Sequence, residues 1–202
     1  MRSDQFYQTL IACFALPPTQ RHAALVHLHE QIVNDYVAAL NRISAEQAAQ
    51  ALTTTGDCRT LADVVGHIAA WERFGILAAS DILIGCDHPR SVTDVHGYVD
   101  ADGSVHNFAD VHAFNAYHSQ KNARRPWPDI QQEARATAEG LYALFSHPHL
   151  LTAEKLEQTK PHRKRLRSGP MLEHTTMGWC LWVIYLDHEA VEHAVELRLP
   201  GQ

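Results

Sequence analysis

The segment "YLDHEAVEHAVEL", residues 185–197, places two histidines and several carboxylates close together. Imidazole and carboxylate groups bind divalent transition metals and also act as general bases. Glu189 and His193 are four residues apart, so on a helix they occupy neighbouring positions on one face. The spacing therefore predicts a polar pair that could hold a metal ion or accept a proton.

The hydrophobic pattern around this segment predicts which polar residues point inwards. At about 100° per residue, one face of a helix collects a stripe of apolar side chains: Trp179, Trp182, Val183, Leu186, Ala190 and Leu197. Glu189 and His193 fall inside the stripe, whereas Asp187, His188 and Glu192 project away from it and are predicted to face solvent. A buried carboxylate without a partner is unfavourable, so Glu189 requires a compensating group.

A second predicted helix offers that group, because His67 lies in the middle of its apolar face. That face consists of Val64, Trp71, Phe74, Ala78 and Ile82. The sequence thus predicts a metal site formed by His67, Glu189 and His193, with Glu189 and His193 as the catalytic candidates. Two neutral imidazoles and one carboxylate suit zinc, nickel, manganese or iron, and three protein ligands leave a position open for water or substrate.

Two other interpretations of the same residues stay open. His67 could be a hydrogen-bonded core residue, and Glu189 and His193 could pair with each other without any metal. His188 could replace Glu189 as a ligand only if the helix were locally distorted. In a regular helix a residue five positions from His193 is rotated by about 140°.

The remaining pattern predicts an all-α protein with four long amphipathic helices. We expect these helices near residues 19–44, 60–85, 129–145 and 175–199. They favour a four-helix bundle with long crossover loops and short extra helices, in a single domain over residues 1–202. Residues 1–16 form an N-terminal extension, and residues 86–111 form a long loop with a short hairpin around 100–104. The basic run at 160–167 is predicted to be a solvated loop.

Composition excludes several classes of protein. The net charge of -6 over 202 residues argues against general nucleic-acid affinity. No apolar run is long enough to cross a membrane, and the first residues lack the apolar core of a signal peptide. Four scattered cysteines without a C-x-x-C pair predict neither a disulfide framework nor a zinc ribbon. We therefore expect a cytoplasmic protein, with a homodimer as the default oligomer.

Three segments, "VVGHIAAWERF", "HAFNAYHSQK" and "LDHEAVEHAVEL", resemble the DinB/YfiT-like superfamily of metalloenzymes. Among its members, the ClbS/DfsB-like four-helix bundle proteins are the most similar. The resemblance implies a divalent metal held by three histidines, one on the second helix and two spaced H-x-x-x-H on the fourth. His67 and His193 match the first and the last of these, whereas Glu189 stands where the pattern has histidine. The departure implies either a His, Glu, His site with an altered metal preference or a site without metal.

The resemblance also implies a function. The chain would be a divalent-metal-dependent enzyme that acts as a small-thiol transferase or a hydrolase on an electrophilic small molecule. Its partners would be a small-molecule substrate and a low-molecular-weight thiol. The alternatives are a metal-free protective protein that binds or hydrolyses a reactive metabolite, with Glu189 or His193 as general base, and a noncatalytic bundle.

Overall fold

The computed structural model describes residues 3–52, 59–91, 95–166, 171–194 and 196–197, and helices dominate these ranges. The longer helices are α1 (Ser3–Phe14), α2 (Pro18–Leu40), α4 (Leu61–Leu83), α5 (Val111–Asn122), α6 (Trp127–Ser146) and α8 (Met177–Asp187). Two short helices are α3 (Ala45–Ala48) and α7 (Ala153–Glu157). The predicted all-α class is confirmed at this level. Within the described ranges no helix combines the length and the apolarity that crossing a bilayer requires.

Two small antiparallel hairpins complete the described structure. In the first, β1 (Tyr98–Val99) pairs with β2 (Val105–His106), which confirms the hairpin predicted around residues 100–104. In the second, β3 (Pro161–Arg165) pairs with β4 (Met171–Thr176).

The second hairpin corrects two predictions. The basic run 160–167 was expected to be a loop, but most of it forms β3, whose backbone pairs with β4 while its charged side chains remain largely exposed. The fourth long helix was expected from residue 175, but it begins at Met177 because β4 extends to Thr176. The helix also ends earlier than predicted, because α8 stops at Asp187 and a π-helical turn follows it. Residue 199 itself, like residue 167 of the basic run, lies outside the described residues.

Local signals fix both ends of α4. The Thr60 hydroxyl accepts a hydrogen bond from the Asp63 N–H, and the Asp63 carboxylate accepts one from the Thr60 N–H, which together form a capping box. The helix stops before Gly85, whose φ of 87° is the left-handed conformation that favours glycine. Both predicted boundaries are confirmed, and they set the phase in which α4 presents His67.

Helix α4 lies at the centre of the packing, in contact with α5, α6 and α8, while α2 contacts α1, α6 and α7. The apolar stripe predicted for the last helix is buried throughout. A spacing of three and four residues also places Ile130, Ala134, Thr137, Leu141 and Phe145 on one face of the third long helix, α6, and all five are buried. The core therefore follows the predicted helical phases.

Helices α4 and α8 approach each other closely where Gly75 faces Tyr185. A Cβ atom at position 75 would lie 2.6 Å from Cζ of Tyr185, so only glycine leaves room for the ring. His67 lies eight residues before Gly75, and His188 lies three residues after Tyr185. This close approach therefore sets the separation of the two elements that carry these histidines.

Asp187 corrects another prediction, because it does not face solvent. It is 8% exposed, and its carboxylate accepts a hydrogen bond of 2.8 Å from the Tyr7 hydroxyl on α1. Helix α1 packs over this side of α8. The sequence pattern of α8 by itself does not indicate that another helix packs there.

The hairpin of β1 and β2 is anchored to α5 through Asp100. Its carboxylate accepts hydrogen bonds from the Lys121 ammonium, the Tyr117 hydroxyl and the Ala101 N–H. Burial alone would raise the pKa of Asp100, but these hydrogen bonds outweigh it and lower the pKa to about 2. The carboxylate therefore stays ionised in the folded protein.

We expect Asp100→Asn to lower the free energy of unfolding by about 1–3 kcal/mol at neutral pH, because hydrogen bonds to an ionised group are lost. The folded pKa lies below the unfolded value of about 3.9. The stabilisation is therefore fully present above that value and disappears as the pH falls through about 2. Urea unfolding of both proteins at a series of pH values measures this. A difference in stability that stays constant down to pH values near 2 contradicts the assignment.

Candidate metal centre

A wide helical turn follows α8 and carries two histidines. This π-helical turn spans His188–Glu192, and the N–H of His193 donates to the carbonyl oxygen of His188 over 3.2 Å. The bond spans five residues, where a regular α-helix would span four. The Leu197 N–H then donates to the carbonyl oxygen of His193, so the four-residue spacing resumes directly afterwards. This is the local distortion that His188 needs to reach the site.

Three imidazoles converge at this turn. Nε2 of His188 lies 3.3 Å from Nε2 of His67 and 3.2 Å from Nε2 of His193. One ligand atom from each residue lies within 4.8 Å of the others. His193 is buried, and His67 and His188 are half-buried. The arrangement joins α4 to the turn that follows α8.

Two of the three nitrogen separations match those expected around a tetrahedral metal ion. Ligand nitrogens about 2.0–2.1 Å from a tetrahedral zinc are separated from each other by about 3.3 Å. Hydrogen bonding explains the same spacing poorly. One imidazole nitrogen carries either one hydrogen or one lone pair, so Nε2 of His188 cannot make two good hydrogen bonds at once. Three lone pairs directed at one central cation satisfy all three rings.

The second ring nitrogen of His193, Nδ1, contacts a carboxylate, which in turn pairs with a guanidinium. Nδ1 of His193 makes a short hydrogen bond to Oε2 of Glu196, and Nη2 of Arg59 donates to Oε1 of Glu196 over 2.9 Å. A proton on Nδ1 of His193, donated to the carboxylate, leaves the lone pair on Nε2, which faces the other two rings. Carboxylates that fix a histidine tautomer in this way are regular partners of metal-bound histidines.

We expect Glu196→Gln to weaken binding of a divalent metal by about 10–100-fold, because the amide orients the ring of His193 less strongly than the carboxylate does. Competition with a chromogenic chelator measures the affinity. The exposed Glu192 on the same turn provides a control with the same change in charge. Equal losses in Glu196→Gln and Glu192→Gln would mean that net charge alone is responsible.

Burial strongly lowers the pKa of His67, to about 3, and the nearby side chains of His193 and Arg59 lower it further. The ring is therefore neutral at physiological pH. A neutral imidazole is the form that coordinates metal, so His67 needs no deprotonation before it binds.

Glu189 lies in different surroundings from the three histidines. Within the described ranges, His67, His188 and His193 form the group of potential ligands, and Glu189 is not part of it. Its carboxyl is 4% exposed and lies close to the fully buried carboxyl of Glu72. Burial raises the pKa of both carboxyls, and the charge of Glu189 raises that of Glu72 further. The structure thus brings together two of the three predicted ligands and adds His188.

A groove of about 290 Å³ leads from the surface to His67. It is lined by Arg59, Asp63, His67, Asn115, Ala116 and Ser119. The indole N–H of Trp71 donates to Oδ1 of Asn115 over 3.1 Å, which fixes the orientation of that amide. A small molecule in this groove would contact one of the three imidazoles directly.

The sequence pattern missed several residues around the site. Glu196 was detectable in principle, because it follows His193 by three residues and so faces the same side of a helix. Arg59 lies before the cap of α4, where no helical phase applies. Glu72 was overlooked because α4 is buried on more than one face, which the single stripe through His67 did not indicate.

Comparisons with known proteins add no relative. The chain matches no protein-family model, no curated protein and no solved structure at a significant level.

Proposed function

We propose that this protein is a divalent-metal-dependent enzyme of the DinB/YfiT type. It would transfer a small thiol to an electrophilic small molecule, or hydrolyse such a molecule. The observation that carries the proposal is the convergence of Nε2 atoms of His67, His188 and His193 at separations of 3.2 and 3.3 Å beside an open groove. In this proposal α2, α4, α6 and α8 correspond to the four helices of the bundle.

The donor set narrows the choice of metal. Three neutral imidazoles suit zinc, nickel, manganese or iron better than calcium or magnesium, which prefer oxygen ligands. Three protein ligands leave a coordination position for substrate, the pattern of a catalytic rather than a structural site. A bound divalent ion lowers the pKa of a coordinated thiol or water, so it supplies a nucleophile at neutral pH.

The residues of the groove would hold the second reactant. Arg59 is 40% exposed in its side chain, so its guanidinium contacts both Glu196 and the solvent of the groove. Its charge favours a substrate with a carboxylate or another anionic group. Asn115 and Ser119 add hydrogen-bonding groups on α5 that can orient the electrophilic carbon towards His67.

Metal analysis combined with an activity assay tests the proposal. The purified chain is expected to contain about one divalent ion per molecule, and removal of the ion by a chelator is expected to abolish the activity. A suitable assay follows the reaction of cysteine with 1-chloro-2,4-dinitrobenzene, and separately its hydrolysis in the absence of thiol. Readdition of zinc, nickel, manganese or iron should restore one of these rates.

The exposed His112 on α5 provides a matched control, because His112→Ala removes an imidazole that does not belong to the group of potential ligands. It should leave metal content and rate unchanged, whereas His67→Ala should lose both. A chain that purifies without metal and does not take it up would reject this proposal in favour of the metal-free alternative.

A further inference from the structure

A second cavity, of about 300 Å³, lies between α2 and the π-helical turn. Ile32, Ala39, Ala190 and Leu197 give it apolar walls. None of its lining residues also lines the groove at His67. It is therefore a separate site, which the proposed metal chemistry does not use.

Tyr36 and Glu189 form the buried part of this cavity. Both line it, and each is only 4% exposed. Within the described structure the hydroxyl of Tyr36 has no hydrogen-bond partner, and the carboxyl of Glu189 has none beyond the neighbouring carboxyl of Glu72. Buried polar atoms of folded proteins nearly always have full sets of partners, so these incompletely partnered groups at one cavity require an explanation.

The carboxyl of Glu72 is hydrogen-bonded to that of Glu189, a contact in which the two carboxyls share one proton. Oε2 of Glu72 also accepts a hydrogen bond from Thr137. The hydroxyl of Tyr185 is buried and unpartnered as well. The charge of Glu72 acts on both tyrosines, which places the four side chains in one polar group. Sharing one proton leaves the carboxyl pair with further oxygens that accept no hydrogen bond, so a ligand that satisfies the group must bring donors.

We propose that this cavity binds a small molecule with a primary ammonium group on an apolar body. An ammonium carries N–H donors that the oxygens of Tyr36 and Glu189 can accept. Its positive charge compensates the buried carboxylate, which is otherwise unfavourable. The apolar part of the ligand would pack against the aliphatic walls, in a cavity whose volume lies at the lower end for small-molecule sites.

Other ligand classes fit the cavity less well. Calcium and magnesium require six or more oxygen ligands, and the apolar walls provide none. An anion would be repelled by Glu189 and Glu72. The rim adds one charge of each sign, from the exposed Asp35 and Arg42, and so does not alter the preference.

A pair of ligands that differ in one atom tests the proposal. The full chain is titrated calorimetrically with 2-phenylethylammonium and, separately, with 2-phenylethanol. We expect saturable binding of one ammonium per chain, and binding of the alcohol weaker by about tenfold or more, because a charge-assisted contact is replaced by a neutral one. Absence of ammonium binding, or equal binding of the two compounds, would overturn the proposal.

Two variants localise the site. Glu189→Gln and Tyr36→Phe should each weaken ammonium binding by about tenfold, while the metal content of the chain remains that of the wild type. Binding that is unchanged in both variants, or that is displaced by magnesium chloride at constant ionic strength, would also overturn it. The comparison of the two ligands on the wild-type chain decides the question even if a variant fails to fold.

Discussion

Replacing His188 with alanine is expected to reduce bound divalent metal from about one ion per chain to background. His188 supplies the nitrogen that lies 3.2 and 3.3 Å from those of the other two rings, so its removal leaves a two-ligand site. Glu189→Gln is expected to keep the metal, because its side chain lies against Glu72. Elemental analysis of the purified variants, followed by titration with zinc, measures both effects.

This pair of variants separates the two possible ligand sets directly. If the His67, Glu189, His193 set predicted by helical spacing is used, Glu189→Gln should lose metal and His188→Ala should retain it. If both variants retain metal, the ion binds elsewhere. Circular dichroism of each variant confirms that the helices are intact, so that loss of metal is not a consequence of unfolding.

Gly75→Ala is expected to lower the free energy of unfolding by about 1–3 kcal/mol, because a methyl group would overlap a ring that cannot move away. Its carbon would lie 2.6 to 2.9 Å from three ring atoms of Tyr185, which is 1% exposed. For a chain of this length the melting temperature should fall by about 2–12 °C. Differential scanning calorimetry measures the change.

Gly140→Ala provides the matched control, because a methyl group there would meet only Cδ1 of Ile76 at 3.5 Å, an ordinary contact. The same change in α6 should be neutral or should stabilise the protein by about 0.4–1 kcal/mol, since alanine restricts the unfolded chain. In a Tyr185→Ala background the cost of Gly75→Ala should largely disappear. A cost that persists in that background would mean that the ring of Tyr185 is not the obstacle.

The helices themselves could be predicted from sequence because their information is local. Three-and-four spacing predicted the buried faces of α4 and of the last helix in the correct phase, and the cap at Thr60 fixes the start of α4. Strand β3 could not be predicted in this way. Its residues are mainly basic and exposed, and only their pairing with β4 makes them a strand.

The candidate site could be predicted only in part, for a similar reason. His67 and His193 were identified from helical phase, and the structure brings them together. Glu189 was preferred to His188 because a regular helix was assumed, and the π-helical turn removes that assumption. No pattern in residues 185–197 indicates such a turn, because the turn is stabilised by packing against elements distant in the sequence. Asp187, held by Tyr7 from α1, shows the same dependence.

The wide turn at His188–Glu192 amounts to one additional residue absorbed within a helix. Such an insertion changes the number of residues between two ligands while the elements on either side keep their neighbours. A different position along the chain can therefore come to supply a ligand in the course of evolution, while the rest of the fold stays the same. Linear motifs with a fixed interval between histidines would overlook descendants that carry this insertion.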